Sequence, residues 1–282
     1  MSDDQVAVEP TAADPAAAAT DTLRREIDTT VAHPARVYDY WLGGKDNFAP
    51  DRIAAQKVID ANPGIVPGVR SNRAFLVRVV QHLVAECGIR QILDLGTGLP
   101  SANNVHEVAQ ATADDTKVVY VDNDPIVLVH ARALLTGRPG SVAYIDGDLH
   151  DPQSILAQAA QTLDFSKPVA VMVLMTMQFI DDDNDPYGVV REFLDATVPG
   201  SYLVLSHPAR DDETGIANAA TATYNTRVAT SMTRRTHDQI AAFFDRLELL
   251  EPGLVAPQDW RPLPDAPPAQ VSPAYAGVAR KP

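Results

Sequence analysis

The stretch that decides the fold is ILDLGTGLP at residues 92–100. An apolar run ends there on Asp94 and leads directly into a turn with glycines at 96 and 98. Glycine lets the backbone turn sharply and approach a bound molecule closely. Ligands of open α/β sheets bind at the carboxyl ends of the strands. The pattern therefore predicts a strand of such a sheet, with a ligand at the turn that follows it.

Two further apolar runs also end on acidic residues. They read KVVYVD at residues 117–122 and VAYIDGD at residues 142–148. Because the carboxyl ends of parallel strands lie side by side, we expect Asp94, Asp122 and Asp148 to line one crevice. Carboxylates at that edge suit a cofactor with ribose hydroxyls and an exocyclic amine.

Strands and helices alternate from about residue 89 to residue 207, which predicts a doubly wound α/β sheet. Apolar stretches at 247–250 and 274–279 predict an antiparallel hairpin that completes the sheet. The proline-rich connection between them, residues 252–273, is long enough to suggest a functional loop. Helices are predicted at 69–86, 103–111, 125–135, 152–161, 187–196, 217–227 and 236–244.

The order of these motifs resembles the class I S-adenosylmethionine-dependent methyltransferases. More narrowly, the chain is similar to an uncharacterised methyltransferase family known mainly from actinobacteria. The segments that carry this likeness are PARVYDYWLGGKDNF (34–48), RSNRAFL (70–76), NNVHEVAQ (103–110) and GSYLVLSH (200–207). The resemblance implies a Rossmann-like seven-stranded sheet, with its last strand antiparallel, and an N-terminal helical extension.

The same resemblance divides the chain and assigns a cofactor site. Residues 1–20 are expected to form a disordered tail, 21–88 a helical extension or lid, and 89–282 the methyltransferase domain. S-adenosylmethionine is the implied cofactor, with Asp122 on its ribose and Asp148, preferred to Asp146, beside its adenine. The implied cofactor-binding residues are Asp94, Gly96, Thr97, Gly98, Asp122, Asn123, Asp148 and Leu149.

Two alternatives bear on this reading. NAD-binding folds share the glycine pair, but their motif has a third glycine that seats the pyrophosphate on a helix. Ser101 occupies that position here, so a methyltransferase is favoured over an NAD-dependent dehydrogenase. A module that binds S-adenosylmethionine for regulation, without transferring methyl groups, is the second alternative.

Candidate residues for the acceptor or a lid come from three segments. Aromatic side chains and a glycine pair in the first segment favour a pocket wall. After the fourth strand stands Gln178, where many relatives carry histidine, which weakens any assignment of a histidine base. His207 follows the fifth strand, although a structural histidine before Pro208 is the preferred interpretation. The candidates are Tyr38, Tyr40, Gly44, Asn47, Gln178 and His207.

The composition limits the classes of molecule that can serve as acceptor. The 282 residues carry a formal net charge of −14, which disfavours a nucleic acid because nucleic-acid binders present a basic face. A small-molecule acceptor is expected instead. The N-terminal stretch lacks the pattern of a secretion signal and no apolar run reaches membrane-spanning length, so a cytoplasmic protein without membrane contact is expected.

No metal is expected. The acidic run at residues 181–185 has calcium-loop spacing, but Pro186 stands where such a loop needs glycine. These acids are expected to cap the following helix instead.

Overall fold

A computed structural model describes residues 28–127, 129, 140–211, 214–262 and 273–282. Its centre is one seven-stranded sheet with the order β3-β2-β1-β4-β5-β7-β6. The strands are β1 (Gln91–Leu95), β2 (Lys117–Asp122), β3 (Val142–Asp146), β4 (Ala170–Leu174), β5 (Tyr202–Pro208), β6 (Glu248–Leu249) and β7 (Ala274–Arg280). The pairs among β1 to β5 are parallel, whereas β7 runs antiparallel to β5 and β6. The predicted sheet is confirmed.

Eight helices are bounded within the described ranges. They are α1 (Pro34–Leu42), α2 (Ala49–Ala61), α3 (Ile65–Ala85), α4 (Val105–Thr112), α5 (Pro152–Ala159), α6 (Pro186–Asp195), α7 (Ile216–Asn225) and α8 (His237–Ala241). The predicted tail at 1–20, most of the helix predicted at 125–135 and part of the proline-rich connection lie outside the described residues.

Helix starts follow local capping chemistry. Proline opens α5 and α6, where its fixed φ fits the first helical turn and its missing N–H costs nothing. The side chains of Asp151 and Asp185 accept hydrogen bonds from the first-turn amides of these helices. Asp181 accepts one from Asn184 in the short turn before α6. The acidic run at 181–185 thus caps local turns.

The sheet is buried on both faces. One face packs against α5, α6 and the aromatic pair Phe243 and Phe244. The opposite face packs against α3 and α4, with Phe75 and Leu83 of α3 fully buried. Helix α3 lies within the segment assigned to the N-terminal extension, but it covers the sheet because its apolar stripe is continuous with the core.

A smaller apolar cluster joins α1, α2 and α7 above the sheet edge, and we call these three helices the helical cap. Val37, Trp41, Ala55 and Tyr224 are buried in this cluster. The indole N–H of Trp41 donates to the carbonyl of Ala55 at 3.2 Å. The cap therefore combines two N-terminal helices with one that follows β5.

Within the described ranges, no helix is both long and apolar enough to cross a membrane.

Candidate active site

A cavity of about 430 Å³ lies between the carboxyl ends of the parallel strands and the helical cap. All three strand-end acids, Asp94, Asp122 and Asp148, line it, as the parallel topology predicts. It also contains the rest of the predicted cofactor set and two of the acceptor candidates. These lining residues are Gly96, Thr97, Gly98, Asn123, Leu149, Tyr38 and Gln178.

The two glycines of the turn after β1 have different surroundings. Both have positive φ, +74° at Gly96 and +69° at Gly98, a region that side chains rarely adopt. A Cβ at Gly96 would collide with Thr176, whose hydroxyl donates to the carbonyl of Leu95 at 3.1 Å. A Cβ at Gly98 would meet no described atom within 4 Å. Gly96 serves packing, whereas Gly98 keeps one side open to a ligand.

Asp122 connects the turn to the end of β2. Its Oδ2 accepts a hydrogen bond from the Gly98 amide at 2.7 Å, and its Oδ1 accepts one from the Asp124 amide at 3.0 Å. Asp124 in turn accepts from the Ile126 amide, and its Oδ2 lies 2.8 Å from His33 Nδ1. Each carboxylate oxygen has a second lone pair, so Asp122 can still accept bonds from ligand hydroxyls.

Burial perturbs the acids of this edge. It raises the pKa of Asp94 to about 7, with nearby Arg73 opposing the shift and Asp122 adding to it. It also raises the pKa of Asp122, against the two backbone hydrogen bonds. For Asp124, the effect of burial is outweighed by His33, and the pKa is lowered. A cationic ligand group beside Asp94 would offset the cost of burying its charge.

The structure distinguishes Asp148 from Asp146, because only Asp148 lines the cavity. Asp148 lines the cavity and pairs with His150, whose Nδ1 lies 2.7 Å from its Oδ1. Partial burial opposes the change, but these His150 contacts lower the pKa of Asp148. Asp146 is not part of this lining and borders an adjacent groove together with Asp148, Asp151 and Ser154. This placement favours Asp148 for contact with a ligand in the cavity.

The site combines open space at Gly98, carboxylate oxygens of Asp122 that can accept hydrogen bonds from hydroxyl groups, and the buried acid Asp94, which suits a cation. A family model described as S-adenosyl methyltransferase matches residues 20–282. The chain belongs to this S-adenosyl methyltransferase family. It is an S-adenosylmethionine-dependent methyltransferase, and the dehydrogenase alternative no longer applies.

Two solved structures share both sequence and fold with the methyltransferase. A duf574 family protein from Streptomyces avermitilis is 40% identical, with a TM-score of 0.87 over 91% of this chain and 100% of the other. A putative methyltransferase from Thermobifida fusca is 38% identical, with a TM-score of 0.84 over 91% of this chain and 97% of the other. No curated protein matches the sequence.

The cavity fits S-adenosylmethionine on the features described above. Gly98 leaves an open cradle, Asp122 offers acceptors suited to ribose hydroxyls, and Asp94 is a buried acid beside which an ammonium group would be stabilised. These features support the predicted set of cofactor-binding residues. Each individual contact with the cofactor stays a prediction.

Three acceptor candidates of the methyltransferase lie outside the cavity lining. On α1, Tyr38 faces the cavity, whereas Tyr40, two residues further round the helix, bonds Gln56 on α2. The backbone N–H of Gly44 donates to the Asp39 carbonyl. The Asn47 amide donates to the Asp39 carboxylate at 2.8 Å. Gly44 and Asn47 thus shape the loop after α1.

His207 is also outside the lining, because it is part of β5 and fully buried. Its Nδ1 must carry a proton, since its partner is the carbonyl of Pro208 at 2.9 Å. Its Nε2 must accept, since its partner is the guanidinium of Arg235 at 2.8 Å. Burial lowers the pKa of His207 to about 3. Both nitrogens are occupied, so His207 lacks a free nitrogen for proton transfer in the cavity.

Several lining residues were not predicted. Asn72 donates to the Tyr38 hydroxyl at 3.0 Å and accepts from the Ser206 hydroxyl at 2.7 Å, which links α1, α3 and β5. Arg234 donates to the carbonyls of Ala209 and Pro273. Further examples are Arg73, Tyr224 and Met232. They come from distant segments, so no local spacing indicates that they meet.

Proposed function

We propose that the enzyme methylates a small-molecule acceptor, which binds beneath the helical cap beside S-adenosylmethionine and attacks the methyl group directly and in line. The observation that carries this proposal is the shared cavity. Acids at the ends of β1, β2 and β3 occupy one part of it, and apolar and aromatic side chains of the cap occupy another.

We call the first part the nucleoside end, formed by residues 94–98, 122–124 and 148–150. In the proposal, Asp122 accepts hydrogen bonds from the ribose, Asp148 and Leu149 contact the adenine, and Asp94 holds the ammonium group. S-adenosylmethionine supplies an electrophilic methyl group on a sulfonium. The protein orients the reactants and excludes water, and fixing two reactants in this way contributes ~7–11 kcal/mol without a covalent intermediate.

We call the second part the acceptor end, formed by Gln178, Phe179 and the cavity-facing side chains of the helical cap. Trp41 and Tyr224 pack there with ring centroids 6.4 Å apart, and Tyr38 lies on the same wall. Apolar walls with a few polar groups are typical of small-molecule pockets. The net charge of −14 further favours such an acceptor over a nucleic acid.

Calorimetry and turnover test the proposal together. Asp122→Asn should weaken binding of S-adenosylmethionine by ~1.5–3 kcal/mol, because charge-assisted hydrogen bonds to the ribose are lost. The matched control is Asp146→Asn in the adjacent groove, which should bind as the wild type does. Unchanged affinity in Asp122→Asn would remove this residue from the site.

Turnover separates an enzyme from a regulatory module. The wild type, given a cell extract that holds both small molecules and macromolecules together with S-adenosylmethionine carrying a labelled methyl group, should form S-adenosylhomocysteine and a labelled small product. Tight binding without S-adenosylhomocysteine would favour the regulatory module, and label found only in macromolecules would contradict a small-molecule acceptor.

A further inference from the structure

The Gln178 side chain holds a buried hydrogen-bond acceptor at the cavity wall. The residue is 5% exposed. The side-chain Nε2 donates to the carbonyl of Met175 at 2.6 Å. The backbone carbonyl of Gln178 accepts from the Thr233 amide at 2.7 Å. Its Oε1 has no hydrogen-bond partner among the residues that the structure describes.

The orientation of this amide follows from its partner. Only the nitrogen of a glutamine amide can donate to a carbonyl, so the contact with Met175 leaves the oxygen as the free atom. A buried acceptor without a partner has lost its hydration without compensation. A ligand that brings a donor to Oε1 would compensate for that loss.

Gln178 is connected through Thr176 to the turn that binds the methyl donor in the proposal above. It is two residues beyond Thr176, whose hydroxyl contacts the carbonyls of Leu95 and Gly96. Phe179 and Met232 line the cavity with it. The residue that carries the buried, unpartnered oxygen is therefore part of the cavity wall, with apolar neighbours.

Among the described residues of the acceptor end, no side chain is suited to take a proton; Asp94, with a pKa of about 7, lies at the nucleoside end, where the proposed function commits it to the ammonium group. An amide oxygen does not act as a base near neutral pH, and both nitrogens of His207 are occupied. Burial raises the pKa of Tyr38, which keeps this phenol neutral. His33 and His150 are paired with the acids Asp124 and Asp148 at the nucleoside end. A hydroxyl acceptor needs a base during transfer, whereas a neutral amine attacks with its lone pair.

We infer that the acceptor is a neutral primary or secondary amine on an apolar, ring-sized body, and that Gln178 Oε1 accepts a hydrogen bond from its N–H group. This inference rests on the proposed function. The nitrogen lone pair forms the new N–C bond as the C–S bond breaks, and the sulfonium becomes a neutral thioether. The nitrogen becomes a cationic ammonium, which loses its extra proton to water after release. The amide oxygen stabilises the charge that develops on the N–H group.

A pair of fluorescent probes tests the contact. Protein saturated with S-adenosylhomocysteine is titrated with 1-aminonaphthalene and with its N,N-dimethyl analogue, which lacks the N–H donor. The wild type should bind the amine at least about tenfold more tightly, the equivalent of one hydrogen bond. Gln178→Leu should abolish this preference, whereas Gln178→Glu, which retains an acceptor oxygen, should keep it.

Both probes are measured on each variant, so a general loss of stability cancels from the ratio. Equal binding of the two probes by the wild type, or an unchanged preference in Gln178→Leu, would overturn the contact. The chemistry is tested by turnover of 1-aminonaphthalene and 1-naphthol with labelled methyl donor. Label on the amine nitrogen is expected, and label on the naphthol oxygen alone would overturn the amine assignment. If neither probe nor a cell extract yields S-adenosylhomocysteine, the proposed function fails, while the binding ratio still reports on Gln178.

Discussion

The two ends of the cavity are held together by different kinds of contact. At the nucleoside end, Asp122 bonds the amides of Gly98 and Asp124, so short loops after adjacent strands form the site. At the acceptor end, Gln178 is held by Thr233, 55 positions later in the chain, and Tyr38 is held by Asn72 on another helix. The first end depends on local backbone geometry, whereas the second depends on tertiary packing.

Arg235 is the clearest element of that tertiary packing. It is fully buried and donates to the carbonyls of Met177 and Ile180, to the carboxylate of Asp182 and to His207. These partners bracket the turn that carries Gln178. The two ends should therefore respond to mutation separately, and the following predictions test that separation in order of decreasing effect.

The largest effect is expected from Arg235→Met. The change leaves the carbonyl of Ile180 and His207 Nε2 without their donor and takes one of two donors from the carbonyl of Met177, and each unsatisfied group costs about 1–3 kcal/mol. The free energy of unfolding in urea should fall by about 3 kcal/mol or more. Affinity for S-adenosylmethionine, measured under conditions in which the variant is folded, should change far less, because Arg235, in the described part of the chain, makes no contact with the nucleoside end.

The matched control is Arg191→Met, whose exposed ion pair with Asp185 spans 3.8 Å. Exposed pairs contribute about 0–1 kcal/mol, so this variant should unfold almost as the wild type does. Equal losses in the two variants would show that the Arg235 contacts do not support the acceptor end.

Opposite effects on stability and on cofactor affinity are expected from substitutions of the two glycines of the nucleoside end. Gly96→Ala adds a Cβ against Thr176 at positive φ, so strain and overpacking should together cost about 2–4 kcal/mol of stability. Gly98→Ala has the same positive φ but free space, so it should cost about 1–2 kcal/mol. Its Cβ would occupy ligand space, and the affinity for S-adenosylmethionine should fall more than the stability does. Similar profiles of stability and affinity in both variants would contradict the assignment of separate roles.

The same contrast explains what the sequence predicts well. Asp94, Asp122 and Asp148 lie at or just beyond the carboxyl ends of three neighbouring parallel strands, so alternation alone places them at one edge. The positive φ at Gly96 and Gly98 follows from the need for a tight turn after β1. Helix starts at Pro152 and Pro186 follow from proline geometry. Each of these features is local, and local chemistry decides it.

The acceptor end is predicted less well from sequence, because its contacts join distant segments. The aromatic cluster at residues 38–41 indicates a pocket wall, but only the packing of α1 on α3 and α7 turns Tyr38 inward and Tyr40 outward. For His207 the preferred interpretation, a structural histidine before Pro208, agrees with the bonds to Pro208 and Arg235 that occupy both of its nitrogens. The partnership with Arg235 and the opposite directions of the two tyrosines have no signal in the residue spacing.

A pH-dependent effect, smaller for each single pH unit, is expected from Asp94. Its pKa is about 7 in the folded protein, against 3.8 for an ordinary aspartate. Between about pH 4 and pH 7 the unfolded chain has lost this proton while the native state retains it. Stability contributed by Asp94 is thus full below about pH 4 and is lost as the pH rises towards 7, by up to ~1.4 kcal/mol per pH unit. Urea unfolding of the ligand-free protein and of Asp94→Asn should differ by this slope.

Binding provides the control for Asp94. In the proposed site its carboxylate faces the ammonium group, so affinity for S-adenosylmethionine should increase from pH 6 to pH 8 as Asp94 ionises. 5′-Methylthioadenosine has no ammonium group, and its affinity should stay level over the same range. Parallel pH profiles for the two ligands would place the ammonium group away from Asp94.

The smallest effect is expected from the two tyrosines of α1, which compare the inside and the outside of the helical cap. Tyr38→Phe removes the partner of Asn72 and should cost about 1 kcal/mol of stability, since the buried amide loses an acceptor. Tyr40→Phe removes an exposed bond to Gln56, 3.3 Å long, and should cost only a few tenths of a kcal/mol. Turnover should fall in Tyr38→Phe and not in Tyr40→Phe, because only Tyr38 reaches the cavity. A loss of turnover confined to Tyr40→Phe would mean that acceptors bind on the outer face of α1, and the acceptor end would have to be placed there.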